Sequence, residues 1–470
     1  MRSRRDQVQA HAYVVGRLTS ALVHGEQDAP ETPTRRTTLS SLGGLLLGGL
    51  GLGAFLVWGL LFPGGGKAAA LTSGELVVAQ QTGTRYIYAQ QKLWPVLNWS
   101  SAALLLGGIP QPQFVSAAAL AGIPVGAPLG IAGAPDALPA ASDVNTGDWL
   151  ACAGPSGSGS AAGRLQVSLA VGVRPVATPL PAGSAVIVAS PAGGRYLLWQ
   201  GHRLLMDGSW ISDALGLGGA PTITVSPKWL NAVPAGPDLQ TLGLEDIGGA
   251  GPVLGALATR VGQVLVVHNV GSPSSLYLAE AGGVAPITLT QAALAMTDPA
   301  TAAAYPGASV AEIPVSPAAI AAAPAAREPL ADGTGVPAVP PAGFAPGGSA
   351  VPCIEYAGAG TPGTPSLVFA SPPPGAPPAL GTPGVTASPQ TADLIFVEPG
   401  RGALVRPQPA PGASGTTMFL VTSAGVKFSV ASGSAATALG YSAGRAAVLP
   451  SALLALLPTG PALDLPAMRG

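Results

Sequence analysis

A single long segment without charge most strongly constrains how this chain can fold. No charged residue occurs between Arg36 and Lys67, and the stretch from Ser41 to Phe62 is dominated by Leu and Gly. A helix over this stretch would be about 33 Å long at 1.5 Å per residue, enough to cross a hydrocarbon core of about 30 Å. No second stretch of this length follows. The sequence therefore predicts one transmembrane helix, at residues 41–62.

The distribution of basic residues predicts how this helix is oriented. Six Arg residues precede it, two of them directly, whereas Lys67 is the only basic residue that follows before Arg85. The positive-inside rule places residues 1–40 in the cytosol and the rest of the chain outside it. A cleaved signal peptide is the alternative, because Ala68 and Ala70 form an A-x-A pattern. Its apolar region would be shorter and nearer the start of the chain.

Glycines within the predicted span recur at a spacing that permits close helix packing. Gly44 and Gly48 are four residues apart, as are Gly49 and Gly53. Small residues at this spacing let the backbone of another membrane helix approach. These four glycines are candidate packing contacts, although a helix rich in Gly and Leu also produces such pairs by chance.

The segment before the span has the pattern of a short amphipathic helix. Between residues 6 and 23, four apolar residues recur at helical spacing: Val8, Val15, Leu18 and Leu22. Such a helix can lie on a membrane surface, dock on a partner protein or remain a solvated tail. The pattern alone does not distinguish these three interpretations.

The composition of the chain excludes several classes of protein. Only 9% of the residues are charged, against about 25% in an ordinary soluble domain. The formal net charge is −1 and no long basic run occurs, so the electrostatic footprint of a nucleic-acid-binding protein is missing. The chain has 66 Gly and 50 Pro, but a hydrophobic content of 48% argues against wholesale disorder. We expect a folded, turn-rich protein attached to a membrane.

One short phrase recurs four times after the predicted span. Three copies, which begin at Val115, Val225 and Val315, share Val, Ser, an aliphatic residue and Pro at equal offsets, and a longer copy begins at Val448. In two copies Pro directly follows the Ser, as at a helix N-cap and first helical position. Each phrase therefore predicts a short capped helix. A predicted hairpin precedes each one: Leu76–Tyr88, Ala185–Trp199, Val264–Leu278 and Met418–Val430.

Two insertions between these copies are predicted to form a β-rich module from two halves. Both contain several strand-like stretches: Trp149–Cys152, Leu165–Val173, Ala350–Tyr356, Leu367–Ala370, Leu394–Val397 and Ala403–Arg406. The predicted fold class is therefore α+β, with one transmembrane helix followed by four hairpin-plus-helix repeats and a split central module. The predicted boundaries are 1–40 for the tail, 41–62 for the membrane helix, 72–140, 184–240, 260–330 and 416–470 for the repeats, and 143–180 and 335–411 for the module halves.

The two cysteines of the chain are predicted to form a disulfide. Cys152 and Cys353 are the only cysteines, and the predicted topology places both in an oxidising compartment, where a lone pair is usually bridged. Each lies in a strand-like stretch of a different half of the module. The alternative is two buried free thiols.

No catalytic, cofactor-binding or metal site is predicted. The run from Gly64 to Lys67 lacks the first Gly and the Ser/Thr of a phosphate loop. The Gly run at 157–163 has the wrong spacing for a dinucleotide fingerprint. His202 and His268 have no Cys or carboxylate at ligand spacing. Glu398 and Arg401 flank a Pro-Gly pair, which predicts a hairpin turn with a local ion pair.

Four stretches of the chain together resemble one known family. They are residues 6–22, residues 82–107, residues 130–139 followed by Trp149 and Cys152, and residues 397–405, of which the last reads Glu-Pro-Gly-Arg-Gly-Ala-Leu-Val from Glu398. On these residues the chain resembles EccB, the single-span membrane component of the type VII (ESX) secretion system. Gly16, where the family pattern would have a basic residue, departs from the resemblance.

The resemblance implies a structural subunit of an inner-membrane complex that supports protein export. It also implies an elongated ectodomain outside the cytosol, partners of the EccC, EccD and EccE types, self-association and no cofactor. Two alternatives stay open, an ATP-hydrolysing subunit of that complex and a cell-wall glycan-binding module. The sequence offers no phosphate-binding motif for the first and no aromatic residue that recurs in each repeat for the second.

Overall fold

The computed structural model divides into two compact units. It describes residues 4–25, 34–61, 71–155, 164–174, 176–326, 335–358, 365–410, 412–413 and 415–464. The first unit comprises residues 1–70, 79–81 and 115–122, and the second comprises 71–78, 82–114 and 123–470.

Two long helices dominate the first unit. Helix α1 covers Arg4–His24, and its apolar side chains are exposed. Helix α2 covers Thr34–Leu61 and contains an apolar span, Thr37–Leu60, that is long enough to cross a membrane. This is the one such helix among the described residues. The predicted membrane helix is thereby confirmed in length and composition, although it begins earlier than predicted and Phe62 lies outside the described residues.

The other helices are short. They are α3 Trp99–Leu106, α4 Ala117–Leu120, α5 Ile211–Ala214, α6 Pro227–Ala232, α7 Leu289–Thr297, α8 Pro317–Ala322, α9 Gly433–Ala438 and α10 Ser451–Leu454, with 3-10 turns at Pro299–Ala304 and Ala443–Arg445. The side chains of Ser116, Ser226 and Ser316 cap α4, α6 and α8, as the repeated phrase predicts. The fourth predicted cap is wrong, because Pro450 occupies the cap position of α10 and has no side-chain acceptor.

Short strands are the main regular elements of the second unit. In chain order they are β1 Glu75–Ala79, β2 Arg85–Ala89, β3 Lys92–Pro95, β4 Pro112–Val115, β5 Asp148–Pro155, β6 Leu165–Val173, β7 Thr178–Pro179, β8 Ser184–Ala189, β9 Arg195–Trp199, β10 His202–Leu205, β11 Thr222–Thr224, β12 Ala250–Leu254, β13 Leu257–Arg260, β14 Val264–Val267, β15 Ser275–Glu280, β16 Gly283–Ile287, β17 Ile313–Pro314, β18 Ala342–Gly343, β19 Val351–Tyr356, β20 Ser366–Ala370, β21 Leu394–Val397, β22 Ala403–Gln408, β23 Met418–Val421, β24 Lys427–Val430 and β25 Ala447–Pro450.

Among the described residues, four sheets share one strand order. These repeat sheets 1 to 4 run β3-β2-β1-β4, β10-β9-β8-β11, β16-β15-β14-β17 and β24-β23-β22-β25. In each, the first three strands form a meander. In sheets 2 to 4 the fourth strand pairs parallel with the first. The sequence predicted only a hairpin for each repeat, because the remaining strands have at most six residues and each parallel fourth strand pairs with a strand distant in the sequence.

After its short helix, each repeat returns to cover the outer edge of the third strand. The third-strand N–H donates to the carbonyl of the Pro that ends the repeated phrase: Leu93 to Pro124 at 2.9 Å, Arg203 to Pro234 at 2.8 Å, Val284 to Pro324 at 2.9 Å and Lys427 to Pro458 at 3.0 Å. The N–H two residues after this Pro donates back to the same strand. We call these returning segments the tails of the repeats. The Pro of the phrase thus marks the point where each tail meets the third strand.

The residue two positions after this Pro has little space around it in repeat 4 and more in repeat 2. This difference gives a matched pair of mutations. A Cβ on Gly460 would lie 2.3 Å from the ring of buried Phe428, whereas a Cβ on Gly236 would lie 3.4 Å from its nearest neighbour, Leu204. The third repeat already has Ala326 at this position. We expect Gly460→Ala to lower the free energy of unfolding by about 1–3 kcal/mol, as overpacking does.

Gly236→Ala is the control for this prediction and should change the free energy of unfolding by less than about 1 kcal/mol. Chemical denaturation of the detergent-solubilised chain measures both values. Equal effects of the two substitutions would contradict the difference in packing around Gly460 and Gly236.

The start of the fourth repeat corrects one predicted boundary. The stretch from Ala403 was predicted to belong to the second half of the central module, residues 335–411, with the last repeat at 416–470. Instead β22 is the first strand of repeat sheet 4 and pairs with β23 and β25. The Pro/Gly run after it resembles a linker in sequence, but it is the turn of a hairpin, in which the N–H of Gly415 donates to Pro407 O at 2.8 Å. The predicted hairpin Met418–Val430 therefore contains the second and third strands of its sheet.

A six-stranded sheet, the central sheet, draws on both predicted halves of the split module. Its order is β21-β6-β5-β19-β20-β7. Strands β5, β6 and β7 come from 143–180, and β19, β20 and β21 come from 335–411. Along this order, neighbouring strands come from different halves at three places: β21-β6, β5-β19 and β20-β7. Neither half therefore forms a separate sheet.

Apolar side chains connect these sheets in a definite spatial order. One face of the central sheet shares a core with repeats 2 and 4, which includes Trp149, Val186 and Val405. The far side of repeat 4 packs against repeat 1, and the far side of repeat 2 packs against Leu294 of repeat 3. Repeats 2 and 4 thus lie together on one face of the central sheet, repeat 1 packs on repeat 4 and repeat 3 packs on repeat 2, which differs from the order in the chain.

Candidate functional site: the central sheet and its contacts

The disulfide predicted from the sequence is present in the middle of the central sheet. Cys152 on β5 lies directly opposite Cys353 on β19, with their Cα atoms 4.0 Å apart. Both residues are fully buried, beside Leu150 and Val368 in an apolar cluster. A one-residue slip of β5 against β19 would turn one sulfur to the opposite face. The bridge therefore fixes the register between the two halves of the module.

Helix α6 of repeat 2 is anchored on the other face of the central sheet by a tryptophan. Trp229 is fully buried, and its Nε1–H donates to the carbonyl oxygen of Ala151 at 2.7 Å. Tyr356 donates from its hydroxyl to Ala232 O at 2.9 Å, and burial raises the pKa of this phenol. Buried Trp149 lies in the same core, and its Nε1–H has no hydrogen-bond partner among the described residues.

An ion pair joins the same helix to the approach to β21. Lys228 Nζ lies 2.9 Å from Asp393 Oδ1 and 3.1 Å from Thr391 O. The second carboxylate oxygen of Asp393 accepts from the Val167 N–H at 2.8 Å. Because both side chains are about one-third exposed, the pair contributes at most about 1 kcal/mol. It orients α6 more than it stabilises the fold.

A second contact, which we call the clamp, joins the segment just before β5 to the stretch at 397–405 that resembles EccB. Asn145, with a left-handed φ of 56°, donates from Nδ2 to Leu404 O and Arg445 O, both at 3.0 Å, and accepts from Leu404 N–H at 3.1 Å. Arg401 donates to Thr146 Oγ1 at 2.8 Å. The side chain of Asn145 thus pairs with β22 as a neighbouring strand would. The clamp ties the start of the central module to repeat 4.

The ion pair predicted at the clamp is confirmed, but the hairpin is not. Arg401 Nε lies 2.9 Å from Glu398 Oε2. The strands on either side of this turn, β21 and β22, belong to different sheets. The turn therefore passes the chain from the central sheet to repeat 4, and the family stretch at 397–405 marks this crossing.

Charged and phenolic groups also fix repeat 1 and the end of repeat 4. Arg85 forms a two-point ion pair with Asp136, which also accepts from the Trp99 N–H at 2.8 Å. Partial burial would raise the pKa of the Asp136 carboxyl, but these hydrogen bonds and the charge of Arg85 outweigh it, so the pKa is lowered. Tyr441 donates to Pro139 O at 2.7 Å, and burial raises the pKa of its hydroxyl.

Lys427 supports the end of α10 from inside repeat 4. Its Nζ donates to Leu454 O at 2.5 Å and Leu457 O at 2.9 Å. Burial lowers the pKa of Lys427 to about 8, which still leaves the ammonium group mostly charged at neutral pH. A cation at the carboxyl end of a helix is favourable, because the last carbonyls have no partner within the helix.

The residues considered for catalysis and metal binding are dispersed. His202 Nδ1 lies 2.9 Å from Gln200 O, and His268 Nδ1 lies 3.2 Å from Ser274 Oγ. No group of three or more potential metal ligands occurs among the described residues. The glycine runs at 64–67 and 157–163 lie outside the described residues. Gly44, Gly48, Gly49 and Gly53 all lie in α2, with open space where a side chain would be.

Comparison with known proteins identifies the family. The family described as "Type VII secretion system ESX-1, transport TM domain B", EccB, matches residues 2–469. The chain belongs to the EccB family. The resemblance found in the sequence and the predicted α+β fold class are both confirmed.

Several EccB proteins show how far the similarity extends. "ESX-3 secretion system ATPase EccB3" of Mycolicibacterium smegmatis is 31% identical over 301 residues, which cover 62% of this chain and 56% of the relative. "ESX-5 secretion system ATPase EccB5" of Mycobacterium marinum is 28% identical over 60% of this chain and 56% of the relative. The chain thus spans little more than half the length of these EccB relatives.

Two solved structures share the fold. "Structure of EccB3 dimer from the ESX-3 core complex" matches with a TM-score of 0.66 and 26% identity over 83% of this chain and 98% of that one. "Structure of an intact ESX-5 inner membrane complex" matches with a TM-score of 0.63 and 22% identity over 99% of this chain and 94% of that one. At 22% identity, the match to the ESX-5 complex shows similarity of fold alone.

Sequence reasoning missed the residues that join the modules of this EccB chain. Neither Trp229 nor Asn145 is among the candidate residues of the sequence analysis. The available signal for Trp229 was its position inside a capped helix whose other copies have Ala119 and Ala319 there. When an apolar residue is large in one copy and small in the others, we expect the helix of that copy to pack against a different surface.

Proposed function

We propose that this chain is a structural subunit of the membrane complex of a type VII (ESX) secretion system, where it supports protein export across the cell membrane. The observation that carries this proposal is the EccB family match along residues 2–469. The likeness to a structure described as an EccB3 dimer from an ESX-3 core complex supports it. We infer EccC, EccD and EccE type proteins and a second copy as partners, with no role for nucleic acid.

The way the modules are joined suits a scaffold. The contacts between modules are buried cores, side-chain hydrogen bonds, an ion pair and a covalent bridge, and among the described residues none of them leaves a set of groups arranged for chemistry. A scaffold needs modules held at fixed distances, and this is what the bridged central sheet and the clamp provide.

Membrane orientation is a separate part of the proposal. We place residues 1–36 in the cytosol and residues 71–464 outside it, because of the Arg residues that precede α2. Ser20→Cys and Ser209→Cys test this in intact cells with an impermeant thiol reagent, since both native cysteines are bridged. We expect labelling at position 209 and not at 20. The reverse pattern would overturn the orientation, and cells opened with detergent should label both.

Incorporation into a large complex tests the proposed function directly. We expect the tagged full chain, solubilised in mild detergent, to migrate on native gels in a large complex that contains the three partner types. Gly48→Leu should reduce this incorporation, because the added side chain would hold a neighbouring helix away. Gly59→Leu, outside the two glycine pairs, is the matched control. A wild-type chain that migrates alone would contradict the proposed function.

ATP hydrolysis is the second candidate function, because the EccB3 and EccB5 relatives are named ATPases. We propose that this chain is not an enzyme, since its sequence lacks the elements that cradle phosphates and hold magnesium. The purified chain, free of EccC, should release no more phosphate from ATP than the same protein after heat inactivation. Turnover that persists when EccC is absent would establish the ATPase reading.

A further inference from the structure

The tail of repeat 4 shows what this edge of a repeat can bind. Thr459, the residue after the anchoring Pro, directs its N–H and carbonyl away from its own sheet. There Thr386 pairs with it antiparallel: the Thr386 N–H donates to Thr459 O at 2.8 Å and the Thr459 N–H donates to Thr386 O at 2.9 Å. Pairing with Thr386 therefore adds a one-residue strand, an isolated antiparallel bridge, outside the tail of repeat 4.

The tail of repeat 1 has the same edge without the added strand. Val125 occupies the position of Thr459, and its neighbours Pro124 and Gly126 make the same two hydrogen bonds to Leu93 that Pro458 and Gly460 make to Lys427. The N–H and carbonyl of Val125 have no hydrogen-bond partner among the described residues. The side chain of Val125 is 61% exposed. Repeat 1 thus presents an apolar residue on an unpaired strand edge.

Repeat 2 differs at the same position. Ala235 is the equivalent residue and its outward backbone groups are likewise unpaired among the described residues. However, the chain at Gly335 approaches Pro237 two residues further along this tail, close enough that a Cβ on Gly335 would lie 3.0 Å from the Pro ring. Ala235 also offers little apolar surface. Repeat 2 therefore provides a matched reference for repeat 1.

We propose that the edge at Val125 is a docking site for an extended strand of another protein of the complex. The precedent within the chain indicates the chemistry of this strand: Thr386, the residue that pairs with Thr459, is uncharged and β-branched, and it follows Val385, which is also uncharged and β-branched. The partner segment pairs antiparallel through its backbone, as in β-strand addition. The identity of the partner as a member of the complex rests on the proposed function, whereas the edge itself does not.

Photocrosslinking in intact cells tests the site. A photoreactive phenylalanine analogue is placed at position 125 or 235 of the full chain, and crosslinked peptides are identified by mass spectrometry. We expect an adduct from position 125 with an uncharged segment rich in β-branched residues, and about tenfold less from position 235. Equal yields at the two positions, no adduct at 125, or an adduct with a lipid, a glycan or a charged segment would each overturn the proposal.

A proline substitution tests the backbone pairing itself. Val125→Pro removes the outward N–H without removing a hydrogen bond to Leu93, and Ala235→Pro makes the same change in repeat 2. Val125→Pro should reduce the share of chain in the large complex about fivefold, the effect of losing one backbone hydrogen bond. Ala235→Pro should leave that share unchanged, and a wild-type share for both variants would overturn the proposal.

Two controls keep these outcomes interpretable. Thermal unfolding must show that Val125→Pro folds as the wild type does, and if it does not, the crosslinking result decides. A wild-type chain outside any complex would contradict the proposed function, but an adduct at position 125 would still support the docking edge. The two proposals therefore fail on different results.

Discussion

Removing the disulfide should destabilise the extramembrane part of this protein more than any other single change. Cys152 and Cys353 are 201 residues apart, and for a loop of this length the chain-entropy model gives an upper bound of about 5 kcal/mol. Cys152→Ala and Cys353→Ala should lower the free energy of unfolding by equal amounts, close to this bound, because each removes the same bond. Alanine is preferred to serine, because a serine hydroxyl would be buried without a partner in an apolar cluster.

The double substitution is the control for this prediction. It should be no less stable than either single variant, since no further bond is lost. Denaturant unfolding followed by fluorescence measures all three variants, and reduced wild-type protein should unfold at a similar denaturant concentration. Two alkylatable thiols in unreduced, denatured protein from the native envelope would show that the bridge does not form there.

Trp229→Ala should have the second largest effect. The side chain is fully buried between α6 and the central sheet, and truncation of a buried Trp costs about 3–5 kcal/mol. Repeats 2 and 3 should then separate from the central sheet before the rest unfolds, because this helix supplies the largest buried side chain that repeat 2 contributes to the shared core. Limited proteolysis should release a fragment that contains these two repeats.

Two further variants separate packing from hydrogen bonding in this prediction. Trp229→Phe keeps most of the apolar volume but loses the hydrogen bond to Ala151 O, so it should cost only about 1–2 kcal/mol. Trp210→Ala, at a partly buried Trp of the same repeat, should leave the docking of repeat 2 intact. Equal effects of Trp229→Ala and Trp210→Ala on proteolysis would contradict the role of Trp229 as an anchor.

Local sequence signals predicted the local structure well. The uncharged stretch of α2, the Ser-Pro starts of α6 and α8 and the hairpins before them depend on neighbouring residues, so a single sequence contains enough information. The two-residue strand β17 could not be predicted, because its pairing with β14 depends on residues about fifty positions earlier. The strand β22 was assigned to the wrong module, because a Pro/Gly-rich hairpin turn and a linker have the same composition.

The contacts between modules could not be predicted either, because they join residues that are distant in the sequence. Asn145 pairs with a strand more than 250 residues away, and nothing in its immediate sequence marks it. The disulfide was predictable because the two cysteines have no other possible partner. Family resemblance identified the stretch at 397–405, but only the structure shows that it contacts the segment just before β5.

The mismatch between packing order and chain order governs how this protein can be made. Repeat 1 emerges first during synthesis, yet the core it shares requires Leu420 and Phe428 of repeat 4, which emerge last. Likewise, Cys152 is synthesised 201 residues before Cys353, so the first thiol must stay free of other partners until its own arrives. Folding therefore finishes only after repeat 4 has been synthesised, and contacts of such long range form slowly. During that interval the growing chain exposes the apolar residues of repeat 1 that the shared core later buries.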